Sequence, residues 1–255
     1  AELPRERPRQ GPIHRSVTVH HFRAPGARRI VSASLVIGVA FVVFGMSFGV
    51  LAVGAGASVV QACVMSLFIF TGASQMSVVS VIAAGGSPAS AFGGAVLLAG
   101  RNAVYGLAMS PILDGSVGSR LLGAQWVIDE TTALVTAEEG SDAKKTAFWV
   151  SAPILYAAWN LGTLGGALIG NSINPSTFGL DAAFPVMFTA MVVPHLRTRN
   201  GRRAAAFGAV TSVVLAPFLP VGLPILVCAL GMLFGLSPEP PAEQGSASPD
   251  GDGGR

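Results

Sequence analysis

Arg101 stands near the middle of LLAGRNAVYGLAM, a stretch otherwise built mostly of apolar and small residues. A guanidinium in such surroundings needs a partner or a polar cavity, because an isolated charge in an apolar medium is expensive. Two chemistries meet that need. One is a bidentate clamp on a substrate carboxylate; the other is an ion pair with an acidic residue on a separate element. Tyr105 follows one helical turn later on the same face. Its hydroxyl either donates into the same cavity or sits near an interface. Asp129 and Glu130 are adjacent in WVIDETTALVTAEE. Neighbouring helix positions diverge by about 100°, so the two carboxylates cannot meet one partner. One can pair with Arg101 while the other faces water. Burial of a carboxylate favours its protonated form, which is the property a proton-coupled carrier requires. The competing reading is a solvated helix running on to Glu138 and Glu139. A third feature is TGASQMSVV, where Thr71, Gly72, Ser74 and Gln75 interrupt an apolar run. A helix broken there frees backbone dipoles to bind a zwitterion; a polar contact between helices is the other reading.

Other chemistries lack their residues. The chain has no GxxxxGK[ST] loop and no HExxH, and no His or Cys cluster with metal spacing. No cofactor or metal is expected, and no catalytic residues. Cys63 and Cys228 fall inside apolar segments and read as small buried residues, not as a disulfide or metal site. His14, His20, His21 and His195 lie in basic stretches outside the apolar segments and read as solvated.

The elements that carry these residues follow from composition. Of 255 residues, 51% are apolar and 11% charged, against roughly 25% charged in soluble domains. Mean hydropathy is +0.60. Residues 30–100 contain no Asp, Glu, Lys or Arg, several times the ~20 apolar residues that cross a bilayer. The expected fold is therefore all-α, a polytopic integral membrane bundle of about 7–8 transmembrane helices. The apolar run after Arg28 and Arg29 is too long for the core of a signal peptide and reads as a spanning helix. The sequence pI near 9.3 does not imply nucleic acid, because no basic face is interleaved with aromatic residues.

Residues 1–29, rich in Arg and Pro, read as a disordered basic cytoplasmic tail, 30–236 as the transmembrane domain and 237–255 as a disordered C-terminal tail. Eight spans are expected, at 30–54, 58–82, 90–113, 121–137, 147–170, 180–194, 204–218 and 221–236. With the N-terminus inside, the loops 83–89, 138–146 and 195–203 are cytoplasmic. The N-tail with the second and third of these loops holds 13 of the 16 Lys and Arg residues, as the positive-inside rule requires. Arg120 falls outside. Asp181 reads as a helix cap, and Pro185 and Pro194 as kinks. Gly45-xxx-Gly49 echoes Gly162-xxx-Gly166-xxx-Gly170, either as an internal repeat or as ordinary close helix packing.

The chain resembles the AzlC family of branched-chain amino-acid permeases. FTGASQMSVVSVIAAG at 70–85, RNAVYGLAMSPIL at 101–113 and DETTAL at 129–134 carry the resemblance. WNLGTLGGALIG at 159–170 and LDAAFPVMFTAMVVPHLR at 180–197 come next, in the family's order. The resemblance spans about 30–236 and retains Arg101, Tyr105, Gly72, Ser74, Gln75, Asp129 and Glu130. It departs at Ala99 and Asn102, where family members often have Asn and His. It implies a secondary transporter of branched-chain amino acids such as valine, leucine and isoleucine in the bacterial cytoplasmic membrane, often exporting them, beside a small AzlD-type membrane subunit. The acidic pair adds the expectation that the proton motive force drives it, and an apolar pocket the expectation of overlap with methionine. Arg101, Tyr105, Gly72, Ser74 and Gln75 are then expected to bind substrate, and Asp129 or Glu130 to exchange protons. A non-transporting assembly subunit and a membrane-embedded enzyme are the other classes open to these residues.

Overall fold

The computed structural model describes residues 21, 24, 26–170, 172, 186, 189, 192–221 and 223–236. Among them every regular element is helical. The chain divides into two compact units, Ala1–Val186 and Met187–Arg255.

In the first unit, α1 (Ala27–Gly54) and α7 (Ser141–Ile169) are long and apolar enough to cross a membrane. Their mutual contact is the most extensive among the described elements. The Gly echo explains it. A methyl group on Gly45 would collide with the Trp159 carbonyl, and one on Gly49 with the Thr163 carbonyl. From the other side, Gly162 and Gly166 leave room for the carbonyls of Val42 and Met46. Numbering rises together on both helices, so they run parallel, touching backbone to backbone where side chains are absent.

Between them lie α2 (Val59–Phe68), α3 (Ala73–Ala83), α4 (Pro88–Met109), α5 (Val117–Gln125) and α6 (Asp129–Thr136). Ser58 caps α2 in a reciprocal box with Gln61. The helix descends beside α7: the Ser66 hydroxyl donates to Asn160 Oδ1 at 2.8 Å, and the Tyr156 hydroxyl donates to the Leu67 carbonyl at 2.9 Å. The chain then breaks at 69–72 and turns back. Val78, Val79 and Ile82 of α3 line one groove of about 290 Å³ with Ala55, Gly56 and Ala57, the turn after α1, and with Ala62 and Met65 of α2. α2 and α3 are thus the two arms of a hairpin that ends on the side where it began. α4 returns antiparallel to α3, with Gly94 against the Ser77 hydroxyl.

A second hairpin enters from the opposite end. Lys145, at the start of α7, pairs with Asp114, so α4 finishes where α7 begins. α5 rises from there, capped by Ser116, with Gly123 packed under Leu113, Phe148 and Trp149. The chain breaks at Trp126–Ile128 and α6 descends again. Glu138, just beyond it, takes Arg29 of α1 at 2.5 Å.

This layout corrects the expected topology. The apolar stretches 58–82 and 121–137 are not single straight helices but hairpins bent at their centres. Each one reverses the direction of the helix after it. The loop 83–89 therefore lies at the end opposite to the start of α1, and Arg120 lies at the same end as Arg28, Arg29, Lys144 and Lys145. His21, expected to be solvated, meets the Thr146 hydroxyl at 3.2 Å. Cys63 and Cys228 are free and half-buried.

The second unit holds a 3-10 turn (Val193–Arg197, which includes Pro194), α8 (Arg199–Leu215, capped by Thr198) and α9 (Leu223–Cys228), which continues as a 3-10 helix to Leu236. α9 and its continuation fold back on α8, with Gly231 against Ala204 and Phe207 and the Cys228 thiol donating to the Gly208 carbonyl. The expected cap Asp181, the expected kink at Pro185 and most of the sixth expected span lie outside the described residues.

Candidate functional site

The tips of the two hairpins meet beside the midpoint of α7. Gln125, the last residue of α5, donates its side-chain amide to the carbonyls of Leu67 at 3.1 Å and Phe68 at 3.0 Å. Trp126 stacks edge-on against Trp149 and lies 5.8 Å from Tyr156, ring centre to ring centre. Phe70 packs edge-on against Tyr156 and lies 6.4 Å from Phe41. An aromatic collar thus surrounds two breaks in regular helix.

At one break Asp129 and Glu130 open α6, in the first turn where backbone N–H groups favour negative charge. Thr131 fixes that turn: its hydroxyl oxygen accepts the Ile128 N–H and its proton is directed at the Trp126 carbonyl, each at 3.0 Å. Arg101 of α4 reaches across and pairs with Asp129 at 2.6 Å. Asp129 is 17% exposed and Arg101 32%, so the pair is largely withdrawn from solvent. Tyr105 and Glu130 lie within electrostatic range of both partners. The sequence left open whether Arg101 meets an acidic side chain; the structure pairs it with Asp129, and the two carboxylates diverge as adjacent helix positions must. They stand at the start of a short helix after a break, not midway along a span.

At the other break Gly72, Ser74 and Gln75 open α3. Gly72 adopts φ 58° and ψ −74°, a left-handed φ that strains any other L-residue, and its open side lies 3.5 Å from the Trp159 ring. The Gln75 side-chain oxygen accepts the Gly72 N–H at 3.2 Å. Ser74 and Gln75 are each 1% exposed. Seven residues separate Gly94 from Arg101 on α4, and seven separate Ser77 from Phe70. The antiparallel register therefore sets Arg101 level with the 69–72 break.

Arg101, Tyr105, Asp129 and Glu130 thus form one group. Gly72, Ser74 and Gln75 form a second at the same depth. Gln125, Tyr156, Trp159 and Asn160 were not singled out from the sequence as site residues. Their signal was polar and amphipathic side chains placed at mid-helix, where an apolar span has least use for them.

The distribution of polarity defines the class of molecule. On α1, Leu35, Val36 and Val39 face outward, 56–73% exposed, while Ser34 and Ser47 are buried. On α7, Leu161 and Leu168 face outward while Ser151 and Thr163 are buried. A surface of bare aliphatic side chains, with hydroxyl side chains buried among the apolar ones, suits lipid as solvent. The molecule is an α-helical integral membrane protein.

A family model described as AzlC protein matches residues 36–173, more than half of the chain and nearly all of α1–α7. The chain belongs to the AzlC family, which is associated with membrane transport. Two relatives from Helicobacter pylori are each described as an uncharacterized membrane protein. That from strain ATCC 700392 / 26695 is 28% identical, over 76% of this chain and 88% of its own length. That from strain J99 / ATCC 700824 is 26% identical, over 74% and 87%. No solved structure gives a significant match.

Proposed function

We propose that this chain is the large subunit of a secondary transporter that exports valine, leucine, isoleucine and methionine across the bacterial cytoplasmic membrane, driven by the proton motive force. The observation that carries the reading is the Arg101–Asp129 pair, held between two broken helices at mid-depth. A charge pair there is costly unless it is used. In this reading α1, α4 and α7 cross the bilayer and the two hairpins enter from opposite faces, with the second unit supplying further crossings. The end bearing Arg28, Arg29, Arg120, Lys144 and Lys145 is cytoplasmic, and with it the N-terminus.

Protonation of Asp129 or Glu130 weakens the hold on Arg101, which lets the hairpin tips move apart. Arg101 and Asp129 act as a charge-pair gate with Tyr105 at its edge. The break at 69–75 receives the polar end of the amino acid. An apolar pocket separates side chains that differ by one methylene only ~10–200-fold, so overlapping use of several branched substrates is expected. A small AzlD-type protein is the proposed second subunit.

The test is valine flux. Cells lacking other exporters are loaded with a valine dipeptide, with this chain alone, with its small partner, and with Arg101→Ala. Efflux that needs the pair, collapses with an uncoupler and is lost in the variant supports the reading. Efflux no higher than in the empty strain, with both proteins in the membrane, excludes valine export.

A further inference from the structure

We infer that the opening turn of α3 is a carboxylate-binding site, made by Thr71, Ser74 and Gln75, and that Arg101 is not the carboxylate ligand. Only the identity of the molecule bearing the carboxylate rests on the transport reading above.

Three buried side-chain groups at this turn have no hydrogen-bond partner: Thr71 Oγ1, Ser74 Oγ and Gln75 Nε2. Ser74 and Gln75 are 1% exposed. Buried polar atoms are normally satisfied, and three orphans on one turn need an account. The direction of Gln75 is fixed by what does bond. Gln75 Oε1 holds the Gly72 N–H, so its amide nitrogen, about 2 Å away, lies at the mouth of the helix. Trp159 lays the benzo edge of its ring, remote from Nε1, 3.5 Å from the open side of Gly72, walls off that side of the turn, and is locked by Phe41, edge-on, and Phe48, stacked.

The chemistry of the set is one-sided. Gln75 Nε2 only donates, and the two hydroxyls can donate. The N–H groups of Ser74 and Gln75, in the first turn, have no carbonyl within the helix to bond, and the helix dipole adds positive potential there. Nothing in the set is acidic. The surroundings of Arg101 are the reverse: it already holds Asp129, with Glu130 in range. A substrate carboxylate brought there would face two others. Placed at α3 instead, it leaves the substrate's ammonium group free to meet that acidic pair.

The experiment uses the full chain in lipid nanodiscs and labelled valine. Competitors are isovalerate, which keeps the carboxylate and lacks the amine, and valinamide, which does the converse. The expected result is competition by isovalerate and none by valinamide. Gln75→Glu keeps the acceptor for Gly72 but turns the donor into an anion, and is expected to weaken binding by tenfold or more. Thr71→Val with Ser74→Ala removes two hydroxyls at nearly constant volume and is expected to weaken it in the same direction, should the buried charge impair folding. Arg101→Met with Asp129→Leu is expected to keep binding of labelled isovalerate, which has no ammonium group for Asp129 to meet, while abolishing valine flux. Equal competition by valinamide, or isovalerate binding lost in the Arg101 double variant and kept in the α3 variants, overturns the inference. If labelled isovalerate binds and is lost in Gln75→Glu while valine does not bind, the amino-acid reading fails and the carboxylate site stands. If neither binds, the site is overturned.

Discussion

The side-chain amide of Gln125 donates to the main-chain carbonyl of Phe68 at 3.0 Å, and the same nitrogen reaches Leu67 at 3.1 Å. One side chain from a hairpin entering at one end thus closes the last turn of a hairpin entering at the other. The carbonyls at a helix C-terminus lack intrahelical donors, and lipid supplies none. Gln125→Leu is expected to cost about 0.5–1.5 kcal/mol, the net worth of a typical hydrogen bond, because the Leu67 carbonyl keeps the Tyr156 hydroxyl and the Phe68 carbonyl loses its donor. A lower unfolding temperature of the detergent-purified protein checks this.

Arg101 and Asp129 should respond as a pair. Removing either side chain strands the other, which costs about 3–5 kcal/mol when the pair is buried, whereas replacing both with apolar residues is often neutral. Arg101→Met and Asp129→Leu are each expected to lower thermal stability more than the two together. Flux is expected to vanish in all three. Equal destabilisation by single and double variants, read from melting in one detergent, argues that the two side chains do not interact.

The glycine seam makes a sharp contrast. Gly166→Ala drives a methyl into the Met46 carbonyl, whereas Gly165, its neighbour, has open space at the same position. Overpacking typically costs about 1–3 kcal/mol, and here neither backbone can yield alone. Gly165→Ala is expected to be neutral or to add about 0.4–1 kcal/mol. Expression level and unfolding temperature of the two variants, one residue apart, decide it.

The hairpins can be tested by labelling from each face of the membrane. In a Cys63→Ala, Cys228→Ala background, Ser58→Cys and Ser87→Cys are expected to react with an impermeant maleimide from one face. Gly118→Cys and Glu139→Cys are expected to react only from the other. If 58–82 were a straight crossing, Ser58→Cys and Ser87→Cys would label from opposite faces.

That last contrast marks where the sequence was legible. Arg101 in an apolar run demanded a partner, and Asp129 was among the few acids able to reach it. The TGASQ interruption was visible because Gly72, Ser74 and Gln75 are poor choices for a lipid-facing helix. What hydropathy could not carry was direction. A straight helix over 58–82 and two short arms bent at Gly72 have the same composition and the same mean hydropathy. With both breaks read as spans, the expected ends fell out of step with the structure at 83–89 and at Arg120, then came back into step after the second reversal. Charge counting did not expose the error, because the two reversals cancel before Lys144. The partner of each glycine was equally hidden: Gly45 and Gly162 look like two copies of one motif, and only three-dimensional packing makes them each other's surface.

The bent hairpins also bear on how such a protein is made. In the first unit the turns at the far end are 55–58 and 84–87, whose residues are Ala-Gly-Ala-Ser and Ala-Gly-Gly-Ser. Neither contains an ionised side chain. Arg120, Glu138, Lys144 and Lys145 all sit at the end where α1 starts, and the second hairpin carries Asp129 and Glu130 to mid-depth and brings the chain back. In the proposed orientation, then, the insertion machinery would never have to haul a fixed charge through the full thickness of the bilayer to complete this half of the molecule. The buried ion pair can be assembled by lowering acid and base from one side.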